Sequence, residues 1–149
     1  MIKISKYLDP NLILFLDVKT RDEALHALIE RLRSDKKLSD TQAFYDAIKD
    51  REKIVSTGIG MGVAIPHAKL PDYDDFFIAI GVLQRGVEWH ALDGALVRLI
   101  FMIGGPDDKQ TEYLQILSSL TMALKDEERR KKMLTLNSSD GIINLFSAF

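Results

Sequence analysis

Apolar positions along the chain fall into two periods. Leu12 to Val18 is a short continuous apolar run, which predicts a strand. Leu25, Leu28, Ile29 and Leu32 then recur at helical spacing, so an amphipathic helix is expected over Arg21 to Arg33. Thr20 stands where its N-cap belongs, and Glu23 completes a capping box. A second helix is expected from about Thr41 to Glu52, with Phe44, Ala47 and Ile48 inward and Ser39 or Asp40 as cap. Phe76 to Leu83 and Leu96 to Ile103 are near-continuous apolar runs, the pattern of strands buried on both faces. Gly86, Asp93 and Gly94 supply turn chemistry between them. Glu112 to Leu124 reads as a helix whose stripe is Tyr113, Leu117, Leu120 and Leu124. The mixed charges of Lys125 to Lys132 read as a solvated helix face, and a short apolar segment follows Gly141. Strands interleaved with helices predict an α/β fold, a single domain over residues 1–149 with a mixed β-sheet flanked by helices.

Composition narrows the function classes. A length of 149 residues, 46% of them hydrophobic and 28% charged, suits a globular core and argues against disorder. The net charge of -2 gives no electrostatic basis for nucleic-acid binding. The absence of cysteine excludes disulfides and thiolate chemistry and fits a reducing compartment. Met1 to Pro10 carries charges and lacks an apolar core, so it does not read as a signal peptide. The most apolar stretch, Leu96 to Gly105, is short and contains Arg98; it predicts a core strand, not a membrane span. A soluble, cytoplasmic protein without membrane insertion is therefore expected. The 3 histidines are scattered without metal-ligand spacing, and neither a metal nor another cofactor is expected.

Chemistry concentrates between Ser56 and His67. Gly58, Gly60 and Gly62 alternate, which opens backbone conformations closed to other residues. The pattern is neither a dinucleotide fingerprint nor a Walker loop, since the third glycine of the one and the Lys-Ser pair of the other are missing. Its amides, Thr57, Gly58 and Gly60 among them, are candidates to cradle an anion. His67 follows Pro66, whose fixed φ steadies the backbone. A neutral imidazole is a competent nucleophile toward phosphorus; the competing reading is a histidine in a strand-end turn with a purely structural role. Arg51 continues the apolar stripe of Phe44 and Ile48 at the end of the second helix. It either snorkels to water past the helix end or faces His67 and balances phosphoryl charge.

Arg51-Glu52, Ser56-Thr57-Gly58-Ile59-Gly60 and Gly62-Val63-Ala64-Ile65-Pro66-His67-Ala68 together resemble the signature of the phosphotransferase-system enzyme IIA family, fructose/mannitol type, which includes a nitrogen-regulatory branch. Val87-Glu88-Trp89, Leu92-Asp93-Gly94 and the strand Val97 to Ile103 followed by Pro106 extend the likeness over nearly the whole chain. The length is that of a free-standing member of the family. The resemblance implies that His67 is the phosphorylated residue, through Nε2, and that Arg51 is the family's arginine. It implies a phosphohistidine protein, HPr, as donor, and a IIB domain or a regulated target protein as recipient. The same likeness implies a mixed sheet flanked by helices. In one place the chain departs from the pattern: Tyr113 stands where the family usually has a second histidine. Its hydroxyl can donate a hydrogen bond to phosphate, but it cannot carry positive charge. This leaves three roles open: a transport phosphocarrier, a nitrogen-type regulatory module, and a degenerate binding member.

Overall fold

Two long apolar strands organise the molecule, whose computed structural model describes residues 2–149. They are β5 (Phe77–Val87) and β6 (Val97–Pro106), paired antiparallel. Successive strand side chains point to opposite faces, so the two strands feed two separate cores. Ile78, Ile80, Val82, Leu99, Phe101 and Ile103 belong to one. Phe77, Ala79, Leu83, Ile100 and Met102 belong to the other. Near-continuous apolar sequence is thus needed because both faces are covered, as expected. The strand β5 runs further than expected, so Gly86 lies inside it, near an irregularity in register between Val82 and Val87.

The remaining strands build outward. In chain order, β1 is Ile13–Leu16, β2 Gly58–Gly60, β3 Val63–Ala64 and β4 His67–Leu70. The sheet order is β1-β5-β6-β3-β2, with β4 also pairing with β6. The pairs β1/β5, β3/β6 and β4/β6 are parallel, and β2/β3 is antiparallel, so the sheet is mixed. Both β3 and β4 lie against the same edge of β6, end to end: Val63 and Ala64 face Leu99 and Ile100, and His67 faces Ile103. The carbonyl of Pro66 holds the junction by accepting from the Ile103 amide at 2.9 Å.

Helices cover both faces. On one side lie α1 (Arg21–Ser34) and α2 (Thr41–Ile54), whose Leu25, Leu28, Leu32, Phe44 and Ile48 fill the second core. Thr20 caps α1 by accepting from the Glu23 amide at 3.1 Å, and Asp40 caps α2 from Ala43 at 3.0 Å. On the other side lie α3 (Gln110–Leu124), α4 (Glu127–Thr135) and α5 (Ser139–Asn144). Tyr113, Ile116, Leu120, Ala123 and Leu124 of α3 enter the first core with Met133 and Ile142. Each fully buried aliphatic side chain contributes roughly 1.5–3 kcal/mol, enough to fix α3 and hence the position of Tyr113. The charged run Lys125 to Lys132 lies mostly in α4, which buries Met133; Lys131 and Lys132 stay exposed, whereas Arg129 donates to the Leu145 and Ala123 carbonyls and Arg130 to the Leu124 carbonyl, so the face is only partly solvated.

Candidate functional site

His67 does not end a strand; it begins one, β4. Ala68 and Leu70 turn toward the core beneath α1 and α2, so His67 and Lys69, offset by one residue, turn toward α3. The result is a half-buried imidazole at the sheet edge. One of its nitrogens is already engaged: Nδ1 lies 3.1 Å from the carbonyl oxygen of Ile65. A carbonyl can only accept, so Nδ1 bears the proton, and in the neutral ring Nε2 carries the free lone pair. Burial holds the imidazole pKa below its ordinary range. The hydrogen bond to Ile65 and the Glu52 carboxylate oppose that shift, while the charges of Arg51 and Lys69 reinforce it. The ring is therefore neutral at cellular pH, as a nucleophile must be.

Arg51 reaches the site from the opposite face of the sheet, because α2 packs on β4 and ends beside it. Its Nη1 donates to the Val55 carbonyl at 2.8 Å, closing the end of α2. Arg51 satisfies a carbonyl at the helix end, and its charge still acts on both His67 and Tyr113.

Tyr113 is brought to His67 by α3, with ring centroids 5.6 Å apart, and stacks on Phe76 at 6.1 Å. The side chain is 5% exposed, and burial pushes its phenol up to about 12, so it remains a protonated donor. Lys69 was not singled out from the sequence. Its Nζ sits 4.1 Å from the Tyr113 ring centroid and donates to Gln110 Oε1 at 2.6 Å. Two residues apart on one strand means the same face as His67, a signal that exists only once His67–Leu70 is known to be a strand.

The glycine segment has a different job from the one expected. The Thr57 amide donates to Glu52 Oε1 at 3.0 Å, and the Thr57 hydroxyl donates to Glu52 Oε2. The Gly58 amide is taken by Ser56 Oγ at 3.1 Å. Gly60 lies at the far end of the β2/β3 hairpin, opposite Val63 and beside Asp93, away from His67. Positive φ at Gly60, Met61 and Gly62 shows why glycine is needed here: it makes the turn. The Thr57 and Gly58 amides are therefore spent inside the protein, and Gly60 lies away from His67.

What they build is a buried polar cluster around Glu52, itself 7% exposed. Besides Thr57, Trp89 Nε1 donates to Glu52 Oε2 at 3.3 Å and to Thr57 Oγ1 at 3.1 Å, and Arg21 Nη1 lies 3.6 Å from Glu52 Oε1. The Thr57 carbonyl accepts from the Ile65 amide at 3.0 Å, and Ile65 in turn holds His67. Of the other histidines, His26 is exposed and packs edge-on to Tyr45, and His90 is exposed in the loop after Trp89. Among the described residues no cluster of three or more metal-binding side chains occurs, and no helix is long and apolar enough to cross a membrane.

Known proteins share this fold. The family described as phosphoenolpyruvate-dependent sugar phosphotransferase system, EIIA 2, matches residues 6–148. The fructose-specific EIIABC component of Bacillus subtilis is 37% identical over 147 residues, 98% of this chain; the chain spans 23% of that protein's length. The crystal structure of the nitrogen regulatory protein IIA-Ntr from Neisseria meningitidis superposes with a TM-score of 0.89 at 27% identity, covering 97% of this chain and 99% of that one. IIA-mannitol of Escherichia coli, in its complex with phosphorylated IIB-mannitol, shares the fold with a TM-score of 0.79 at 23% identity, covering 95% and 98% of the two chains. With a family match over residues 6–148 and a mixed sheet shared with a solved nitrogen regulatory protein, the chain belongs to the EIIA 2 family of the phosphoenolpyruvate-dependent sugar phosphotransferase system.

Proposed function

We propose that this chain carries a phosphoryl group on Nε2 of His67, accepting it from a phosphohistidine on an HPr-like protein and passing it to a IIB domain. IIA domains of this system are phosphotransferases that carry phosphoryl groups on histidine. The observation that carries the assignment here is the hydrogen bond from Nδ1 to Ile65, which leaves Nε2 as the lone-pair nitrogen of a half-buried, neutral ring. Nε2 attacks phosphorus in line; the bond from phosphorus to the donor nitrogen breaks, and its electron pair returns to the donor ring. Positioning and charge compensation do most of such catalysis. Arg51 offsets charge on the transferred oxygens from one side, and the Tyr113 hydroxyl offers a hydrogen bond from the other.

The same chemistry serves a second reading, in which the phosphorylated state is itself the signal and the recipient is a regulated protein. The closeness of the backbone to IIA-Ntr, a TM-score of 0.89, favours keeping it. Phosphorylation adds roughly -1.5 to -2 charges at neutral pH, a change that a docked partner can read without any refolding. Either role is exercised in the cytoplasm, where the phosphoenolpyruvate-dependent donors work.

Incubation with phosphoenolpyruvate, enzyme I and HPr, followed by intact-mass measurement, tests the assignment. A single acid-labile phosphoryl adduct is expected on the wild type and none on His67→Ala. An adduct that survives the substitution moves the site elsewhere. Transfer onward to a IIB domain, against retention of the group and phosphorylation-dependent binding of a regulator, separates the two readings.

A further inference from the structure

We infer that Lys69 is a catalytic residue of this site, supplying to the phosphoryl group the positive charge that Tyr113 cannot carry. The inference rests on His67 being the phosphorylated residue. Three observations carry it. Lys69 is two residues beyond His67 on the same strand, so both side chains leave β4 on the face covered by α3. The Lys69 ammonium lies 4.1 Å from the centroid of the Tyr113 ring, and that ring lies 5.6 Å from the His67 ring. Its charge already acts on the imidazole, together with that of Arg51. Two cations therefore neighbour the imidazole, Arg51 from α2 and Lys69 from β4, and the Tyr113 ring lies close to both Lys69 and His67.

The chemistry needs such a pair. A transferred phosphoryl group spreads negative charge over three equatorial oxygens, and donors aimed at them stabilise it most. Arg51 has already committed one nitrogen to Val55. Lys69 holds a neutral partner, Gln110 Oε1, at 2.6 Å. Exchanging a neutral amide oxygen for an anionic phosphoryl oxygen strengthens the bond, since charge-assisted pairs are about twice as strong. Four flexible carbons let the ammonium swing between the two. In the resting state, Gln110 and the Tyr113 face park the ammonium beside the histidine. When the phosphoryl group arrives on Nε2, Lys69 leaves Gln110 and pairs with an equatorial oxygen, while Tyr113 donates its hydroxyl.

The test compares wild type, Lys69→Met and Lys69→Arg, each checked by circular dichroism for an unchanged fold. Two phosphoryl donors are used: phospho-HPr, and phosphoramidate, which phosphorylates imidazole without any protein partner. Lys69→Met is expected to lower kcat for loading by roughly tenfold or more with the KM for phospho-HPr unchanged, as loss of a charge-assisted bond formed in the transition state would. Phosphoramidate loading should slow in parallel. The phosphorus NMR titration of the phosphohistidine should move up by about one pH unit in Lys69→Met, because a nearby cation favours the dianion. Lys69→Arg should restore most of both. Unchanged loading and an unchanged titration in Lys69→Met, or failure of Lys69→Arg to rescue, overturns the role of Lys69 and leaves His67 in place. A wild type that takes no phosphoryl group from either donor overturns the His67 assignment itself.

Discussion

At the scale of residues, the site turns on how one imidazole is held. The Ile65 carbonyl fixes which nitrogen is protonated, and burial with two neighbouring cations keeps the ring neutral. The pH dependence follows from the direction of that shift. Protonation removes the nucleophilic lone pair, and the folded-state pKa lies below the ordinary imidazole value of about 6.5. Loading from phosphoramidate at constant donor protonation should therefore stay level as pH falls to about 6.5 and drop only below it. A decline centred at or above 6.5 in the wild type would contradict the depressed pKa. Tyr113 gives a second test at this scale. Its ring is held by Phe76 and the core, so Tyr113→Phe should keep the melting temperature, yet slow loading roughly three- to tenfold for the loss of one neutral hydrogen bond. Equal rates would reduce Tyr113 to a packing residue.

At the scale of elements, the segment from Arg51 to His67 works as one unit. Glu52 ties the end of α2 to Thr57 and Trp89, and Thr57 passes that anchorage through Ile65 to the histidine. Glu52→Ala leaves the Thr57 amide and hydroxyl and the Trp89 indole N–H buried without their acceptor. The expected loss is about 3–5 kcal/mol, measured by urea unfolding, since breaking a buried charged network is among the costliest changes. Much of this segment was legible from the sequence, but with the wrong purpose. Alternating glycines correctly marked a non-helical turn. Their amides read as anion donors because nothing in the one-dimensional pattern says that Glu52, five residues before Thr57, folds back beneath it. Glu52 enters the sequence reading only as part of the family likeness, because a buried acid looks like any surface acid until a Trp and a Thr from elsewhere converge on it. Helices α1 to α3 and the two central strands were legible because the apolar pattern encodes them, whereas α5, expected only as a short apolar segment after Gly141, and β4 were not. Four residues, His67–Leu70, form a strand by pairing with the far end of β6, and pairing at a distance leaves no local signature. Gly104 illustrates the same limit. A Cβ there would meet Phe44 Cε1 at 2.7 Å and press on the Phe77 ring, so glycine is demanded by three-dimensional crowding between β6 and α2.

At the scale of the whole molecule, the fold places His67 where another protein can reach it. The strand β4 lies on an edge of the sheet, and His67 is its first residue. A phosphoryl group bound to a second protein's histidine needs a surface against which that protein can settle, because the two rings must come into line around one phosphorus. Beside Arg51, α2 ends on Ile54 and Val55, which are 78% and 48% exposed, and Leu114, next to Tyr113, is 53% exposed. Exposed apolar side chains flanking a polar reaction centre are the usual make-up of a transient docking face. Ile54 makes the cleanest probe, since it is exposed, follows the helix end and does not touch the reaction. Replacing it with Asp adds a charge where a donor's apolar surface would press, at a cost of about 1–2 kcal/mol to association. Ile54→Asp should raise the KM for phospho-HPr roughly five- to thirtyfold while kcat and melting temperature hold. Loading from phosphoramidate, which needs no docking face, should match the wild type. If both donors slow together, Ile54 supports the chemistry and not the encounter; if neither slows, the donor approaches His67 from the α3 side, where Leu114→Asp should then carry the effect.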